Sequence, residues 1–205
     1  MFSSWSLGTS LKPSIRNKSP MRNNNIVNIP NILAFIRLLL APIMFFFLVN
    51  QDAEIFQGIH PSWLNYTAAF IFVLASATDF FDGYIAREFD QITTMGKILD
   101  PLADKMLTLA GFLGLMMLGN ASPWAIFLII TRELFITGLR VSAVAEGIDI
   151  AASWMGKIKT VIQMIAIGFL LMGWWGGEIL LWIAVALTLY SGYEYVRDFF
   201  KNVKI

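Results

Sequence analysis

Six apolar runs dominate this chain: Ile32–Val49, Leu64–Phe81, Leu99–Leu118, Pro123–Val144, Trp154–Trp175 and Ile179–Phe200. A helix needs roughly 20 predominantly apolar residues to cross about 30 Å of hydrocarbon, and these runs are 18 to 22 residues long. Helix breakers fall where such spans would end. Pro30 and Pro61 precede the first two runs, Pro101 lies just inside the third, Pro123 opens the fourth, and Gly176-Gly177 separates the last two. Over 205 residues the chain is 57% hydrophobic and 14% charged, with a mean hydropathy of +0.66, which leaves too little polar surface for a water-soluble globule. The expected fold class is an all-α integral membrane protein with six transmembrane helices. One membrane domain covers 28–205, and a polar, Ser-rich, basic leader over 1–27 lacks the apolar core of a secretory signal and reads as flexible.

Charge asymmetry sets the orientation. The links Asn50–Trp63, Gly119–Ser122 and Gly176–Glu178 contain no Lys or Arg, whereas Lys12, Arg16, Lys18, Arg22, Arg87, Lys97, Lys157, Lys201 and Lys204 fall on the other side of six crossings. The positive-inside rule therefore puts both termini in the cytoplasm. Trp63, Trp124, Trp154, Trp174 and Trp175 stand near run ends, where an interfacial aromatic belt belongs. A net charge of +1 gives no footprint for nucleic acid, and the absence of cysteine excludes thiol catalysis and disulfides.

Against this background "DFFDGYIAREFDQITTMGKILDPLADK", Asp79 to Lys105, is anomalous, because it holds six of the fourteen acidic residues between two apolar runs. Asp79 and Asp82 are three apart and share a face if the end of the second run is helical. Asp100 and Asp104 are four apart at the start of the third, with Asp100 as the expected helix cap and Pro101 in the first turn. Two helix ends joined by a short loop can aim four carboxylates into one pocket, where their mutual repulsion requires a positive partner. Oxygen-only ligands suit hard cations, Mg²⁺ or Mn²⁺, and four carboxylates suit a pair of them. Caps and solvated loop charges account for Glu88 and Asp90, but not for carboxylates on the flanks of membrane helices. Gly83 and Ala86 leave a smooth strip that serves either a ligand or ordinary helix packing, and Arg87 offers a fork for diphosphate oxygens.

Asp79-x-x-Asp82-Gly83-x-x-Ala86-Arg87, eight residues, Gly96, three residues, Asp100, three residues and Asp104 resembles the complete signature of the CDP-alcohol phosphotransferases, membrane enzymes of phospholipid synthesis. Eight fixed positions over twenty-six residues make the match specific. The resemblance implies six transmembrane helices in a homodimer, and phosphoryl transfer from a CDP-linked lipid to an alcohol. It implies two divalent cations held by Asp79, Asp82, Asp100 and Asp104, with Asp104 also the general base. It further implies that Gly83 and Ala86 make room for the nucleotide, that Arg87 binds the diphosphate and that Thr93 contacts the nucleotide. In the first run Asn31 and Arg37 match positions near the nucleotide in that family, whereas Ala34 stands where a threonine is common. Arg37, six residues into its run, either snorkels to the headgroups or reaches substrate.

The acceptor is written in the second half. Arg132 sits near the middle of its run and needs an interior partner, for which Glu133, Glu146 or a substrate would serve. Arg140 is eight residues on, about 80° around an ideal helix and roughly 12 Å along it, so the two share a broad face. With Lys157 and Lys159 they form a cluster able to hold a phosphomonoester. "TRE", "TGLR" and "GKIKT" are similar to the branch of the family whose acceptor is sn-glycerol 3-phosphate and whose lipid donor is CDP-diacylglycerol. That resemblance implies a bacterial inner membrane with the active site facing the cytoplasm. The rivals are inositol phosphate or serine as acceptor, a prenyltransferase, which would need a second aspartate cluster where Leu107–Met172 offers only Asp149, and a divalent-cation transporter, which has no use for Arg87.

Overall fold

A computed structural model of the chain describes residues 29–88, 96–145 and 153–202, with side chains described except at 29–30, 80–88, 96–98, 100, 145 and 202. The leader expected over 1–27 lies outside the described residues. Six helices follow in order: α1 (Ile29–Val49), α2 (Pro61–Glu88), α3 (Gly96–Met117), α4 (Pro123–Ala145), α5 (Trp154–Leu171) and α6 (Gly177–Asn202). A single 3₁₀ turn, Glu54–Phe56, interrupts the link between α1 and α2.

Each helix grows from one apolar run, but three boundaries differ from the hydropathy pattern. α2 continues past Phe81 to Glu88, so Asp79, Asp82, Gly83, Ala86 and Arg87 all lie on helical backbone. α3 begins at Gly96, not at Leu99. Asp100 is therefore not the helix cap, and Pro101 is the sixth helical residue instead of a first-turn one. Proline so close to a helix start forfeits only one intrahelical bond and is tolerated there. α5 stops at Leu171, short of Trp175, because Gly173 adopts φ +64° and closes the helix: its N–H bonds to Leu170 O at 3.2 Å and that of Trp174 bonds to Phe169 O at 2.9 Å. At the other end of α5, Ser153 accepts from the Gly156 N–H at 3.1 Å, a side-chain cap that fixes where Lys157 and Lys159 leave the helix.

α1 packs against α2 and α3, α6 packs against α5 and α4, and α5 touches α2 and α3 to join the two groups. Their shared apolar cluster includes Met44, Leu48, Phe72, Phe112, Ile126, Ile167 and Leu181. The outer surface is apolar too: Phe35, Phe46, Phe70, Val73, Phe127, Phe135, Val161 and Ile183 are exposed. Meanwhile Arg37, Lys159, Gln163, Thr188 and Ser191 are buried. Oil outside and polar groups inside reverse the pattern of a soluble protein and match a bundle solvated by lipid.

Three helices, over Asn31–Val49, Trp154–Leu171 and Gly177–Lys201, are long and apolar enough to cross a membrane by length and composition. The five tryptophans of the expected belt, Trp63, Trp124, Trp154, Trp174 and Trp175, are all exposed.

Close contact between α1 and α3 depends on Gly114, where an added Cβ would stand 2.5 Å from Leu48 Cδ1 and 2.9 Å from Leu48 Cβ. Gly114→Ala is expected to lose about 1–3 kcal/mol to overpacking, outweighing a helix-propensity gain of up to about 1 kcal/mol. Gly138→Ala on α4, whose Cβ meets nothing within 4 Å, is expected to hold or raise stability. Thermal unfolding midpoints in detergent check the pair; a Gly114→Ala midpoint equal to the wild type would refute the close contact.

Candidate active site

α2 and α3 supply one wall of a cavity of about 540 Å³, with Ser76 and Asp79 from the former and Pro101, Asp104 and Lys105 from the latter. α4, α5 and α6 supply the others. Arg132, Glu133 and Arg140 come from α4, Lys157 and Lys159 from α5, and Ser191 and Tyr195 from α6. Six residues expected from sequence on four different helices therefore meet in one chamber: Asp79, Asp104, Arg132, Arg140, Lys157 and Lys159.

The acidic wall is held by α1. Arg37 is fully buried and donates from Nη1 to Asp79 Oδ1, joining α1 to α2 forty-two residues later in the chain. This ion pair answers the question left by Arg37's position, because a guanidinium with no exposed surface does not snorkel. Helical spacing explains why the pair forms here: the α1 face that carries Arg37 also carries Ala34, Ala41, Met44 and Leu48, all buried. Asn31 is likewise buried, one and a half turns before Arg37, but is not among the residues lining this cavity.

The cationic wall is organised by Glu133. Its Oε1 accepts from Arg132 Nη1 at 3.2 Å and from Lys159 Nζ, so one carboxylate neutralises cations from α4 and α5. Arg132 also donates from Nη2 to Ser191 Oγ at 2.9 Å, which extends the network to α6. Gly192, next to that serine, leaves room for the arginine stem, since a Cβ there would lie 2.9 Å from Arg132 Nε. Arg140 lies over the Tyr195 ring at 5.7 Å from the centroid, and Lys157 over the Trp154 ring at 5.8 Å. Below them Gln163 donates to Thr188 at 2.9 Å inside the core, and Lys105 donates to Thr137 between α3 and α4.

Of the interior partners expected for Arg132, Glu133 is the one the structure shows; Glu146 lies outside the described residues. One carboxylate against Arg132, Arg140, Lys157 and Lys159 leaves an excess of positive charge, and anions with several oxygens suit such a wall.

Asp79 and Asp104 both line the cavity, and carboxylate oxygen is a donor type that suits Mg²⁺ or Mn²⁺. The side chains of Asp82, Asp100, Gly83, Ala86 and Arg87 and the whole of Thr93 lie outside the described residues, and among those described no group of three or more acidic or histidine side chains converges. On the backbone, Asp82 is three residues after Asp79 on α2 and Asp100 four before Asp104 on α3, so all four sit on the two helices that form the acidic wall.

Two apolar spaces adjoin the chamber. A groove of about 780 Å³ between α2 and α5 shares Ser76 and Met164 with it. A smaller cavity of about 190 Å³ between α3, α4 and α5 shares Asp104, Glu133 and Lys159. Sequence reasoning placed nothing from α6 in the site, yet Ser191 and Tyr195 line it. The available signal was a pair of hydroxyl side chains four apart in an apolar helix, hence on one face.

Residues 27–190 match the family model for CDP-alcohol phosphatidyltransferase. A CDP-diacylglycerol–glycerol-3-phosphate 3-phosphatidyltransferase of Rickettsia felis is 36% identical over 180 residues, covering 83% of this chain and 94% of the relative. The protein of the same name from Bacillus subtilis strain 168 is 38% identical over 189 residues, covering 86% of this chain and 97% of the relative.

Glu133 is thus expected to be worth more to stability than an exposed acid. Glu133→Gln leaves Lys159 and Arg132 without their carboxylate, whereas Glu133→Gln combined with Lys159→Gln removes one of those liabilities. Chemical unfolding in mixed micelles should give a coupling of about 1–3 kcal/mol in this double-mutant cycle. Strictly additive losses would show that the pair contributes nothing.

Proposed function

The chain belongs to the CDP-alcohol phosphatidyltransferase family, and from that premise we propose that it transfers the phosphatidyl group of CDP-diacylglycerol to sn-glycerol 3-phosphate, yielding phosphatidylglycerophosphate and CMP. One observation carries this reading. Asp104 and the cationic set Arg132, Arg140, Lys157 and Lys159 line the same chamber, so a hydroxyl can lie by a base while the phosphate of the same small molecule lies against cations. Inositol phosphate shares the phosphate but not the relatives' printed substrate, and serine would leave the cationic wall without a ligand.

In this scheme Arg132, Arg140, Lys157 and Lys159 bind the acceptor phosphate, and Asp104 takes the proton of the attacking hydroxyl. The new bond forms between that oxygen and the phosphorus bearing the diacylglycerol, and the bond from this phosphorus to CMP breaks. Two divalent cations, Mg²⁺ or Mn²⁺, held by Asp79, Asp82, Asp100 and Asp104, would supply charge neutralisation at the diphosphate. By family resemblance Asn31, Gly83, Ala86, Arg87 and Thr93 contact the CDP-lipid. The apolar groove between α2 and α5 suits the acyl chains, because it shares Ser76 and Met164 with the chamber and is otherwise lined by residues such as Phe70, Phe72 and Phe169.

All six helices cross the membrane in this reading, as a homodimer in a bacterial inner membrane. Both termini and the chamber face the cytoplasm. Support comes from the links at the far end, which hold no Lys or Arg and have the exposed Trp63, Trp124, Trp174 and Trp175 at or beside their ends.

Purified protein in liposomes containing CDP-diacylglycerol, supplied with Mg²⁺ or Mn²⁺ and labelled glycerol 3-phosphate, inositol phosphate or serine in parallel, tests the assignment. Labelled lipid and CMP should form from glycerol 3-phosphate alone, stop on chelation of the metal and return on its replacement. Asp104→Asn should lower kcat about 10²- to 10⁴-fold, the usual worth of a positioned base. Product from another acceptor would replace the substrate assignment, and no CMP from folded protein under any condition would refute the reaction.

A further inference from the structure

Four exposed residues, each four positions after the last, form one stripe along α6: Leu189, Tyr193, Arg197 and Lys201. From Leu189 toward the end of the helix the stripe passes from hydrocarbon, through an aromatic ring with a polar tip, to two cations. Its first two residues line a cavity of about 320 Å³ between α4 and α6, together with Thr131, Phe135 and Val196. Leu189, Tyr193, Thr131 and Phe135 are all exposed, so this cavity opens on the outer surface of the bundle. It shares no lining residue with the groove between α2 and α5. Arg132 lines both this cavity and the chamber, its stem running past Gly192 and its Nη2 reaching Ser191.

We propose that the cavity between α4 and α6 holds an acyl chain of an anionic glycerophospholipid whose phosphate lies against Arg197 and Lys201, at a site separate from that of the donor lipid. The inference rests on the membrane-crossing reading above, in which this face meets lipid and its basic end meets the cytoplasmic headgroups. Spacing and charge select the occupant. At about 1.5 Å per residue Arg197 lies roughly 6 Å beyond Tyr193 and Lys201 roughly 6 Å further, so a lipid seated by its chain brings its ester region to the tyrosine and its phosphate to the cations. A zwitterionic lipid would carry an ammonium to the same two cations, and an apolar face of another protein would leave them without an anion. Asp198 pairs with Arg197 at 3.0 Å, but both are exposed and such pairs contribute little. Glu194 is turned about 100° around the helix from Tyr193, away from the stripe. Cations at the inner end of a membrane helix can serve orientation alone; these two are set apart by sharing one stripe with a cavity that a chain can enter.

Delipidated protein in detergent is titrated with phosphatidylglycerol or with phosphatidylcholine of the same acyl chains, and bound lipid is counted by native mass spectrometry without metal or acceptor, so that no turnover enters. The wild type should bind phosphatidylglycerol about tenfold more tightly than phosphatidylcholine, as for one charge-assisted contact to phosphate. Arg197→Gln combined with Lys201→Gln should reduce that preference to within about twofold by removing both cations. Thr131→Trp fills the cavity from its open side and should weaken the binding of both lipids. All three substituted side chains are exposed, so lipid-free unfolding midpoints should match the wild type.

A preference for phosphatidylglycerol that survives the double substitution would overturn the headgroup contact, and lipid binding unchanged in Thr131→Trp would overturn the cavity as the seat of the chain. A wild type that binds the two lipids equally, yet makes labelled product from glycerol 3-phosphate, would overturn the lipid site and leave the reaction standing. The expected binding pattern in a protein that does not use glycerol 3-phosphate would do the reverse.

Discussion

One carboxylate shared by a buried lysine and a largely buried arginine organises the half of this bundle made by α4, α5 and α6. A lysine or arginine inside an apolar bundle is costly unless paired, and Glu133 pairs with Lys159 and Arg132 at once. Because the partners sit on α4 and α5, and Arg132 reaches on to Ser191 of α6, satisfying that one charge fixes the relative register of three helices. The arrangement also leaves an excess of positive charge. Two cations sharing one anion, with Arg140 and Lys157 beside them, form a wall that is stable enough to fold and still attractive to an anion.

The opposite wall follows the same logic with the signs reversed. Asp79 faces the chamber from α2 while Arg37 of α1, with no exposed surface, neutralises it from behind. An aspartate so paired is held in place by the fold itself. α1 thus contributes to the site without lining the chamber: it shapes the acidic wall through one ion pair. The apolar core beneath, with Leu48 pressed against Gly114, keeps α1 and α3 close enough for the two acidic helices to converge.

Much of this was legible in the residues. Six apolar runs became six helices because a helix satisfies its backbone hydrogen bonds within itself wherever its apolar side chains come to lie. The signature aspartates and the four basic residues of the second half could be named because charge is expensive there. What hydropathy could not mark was where a helix stops, since helical backbone runs on past the last apolar residue. α2 carries seven residues past Phe81, and α3 starts early enough to draw Asp100 and Pro101 inside it. Gly173 ends α5 through its left-handed backbone, a signal of conformation that leaves no trace in an apolar average. Arg37 was ambiguous for another reason: snorkelling and burial differ only in what lies across from the side chain. Tyr195 was invisible because an aromatic residue in an apolar helix reads as packing, whatever its hydroxyl faces.

The unpartnered groups of the chamber tell where stability has been given up. Ser76 Oγ, Arg132 Nε and the Tyr195 hydroxyl are all buried without partners, and all three residues line this one cavity. Each such group costs a fold about 1–3 kcal/mol, so a cluster of them would be selected against unless something else met their needs. They are held by well-packed helices, not by a loop that could turn them away. Ser76 adds a positional point, because it and Met164 belong both to the polar chamber and to the apolar groove between α2 and α5. The charged chamber and the apolar groove therefore meet where Ser76 of α2 stands against Met164 of α5.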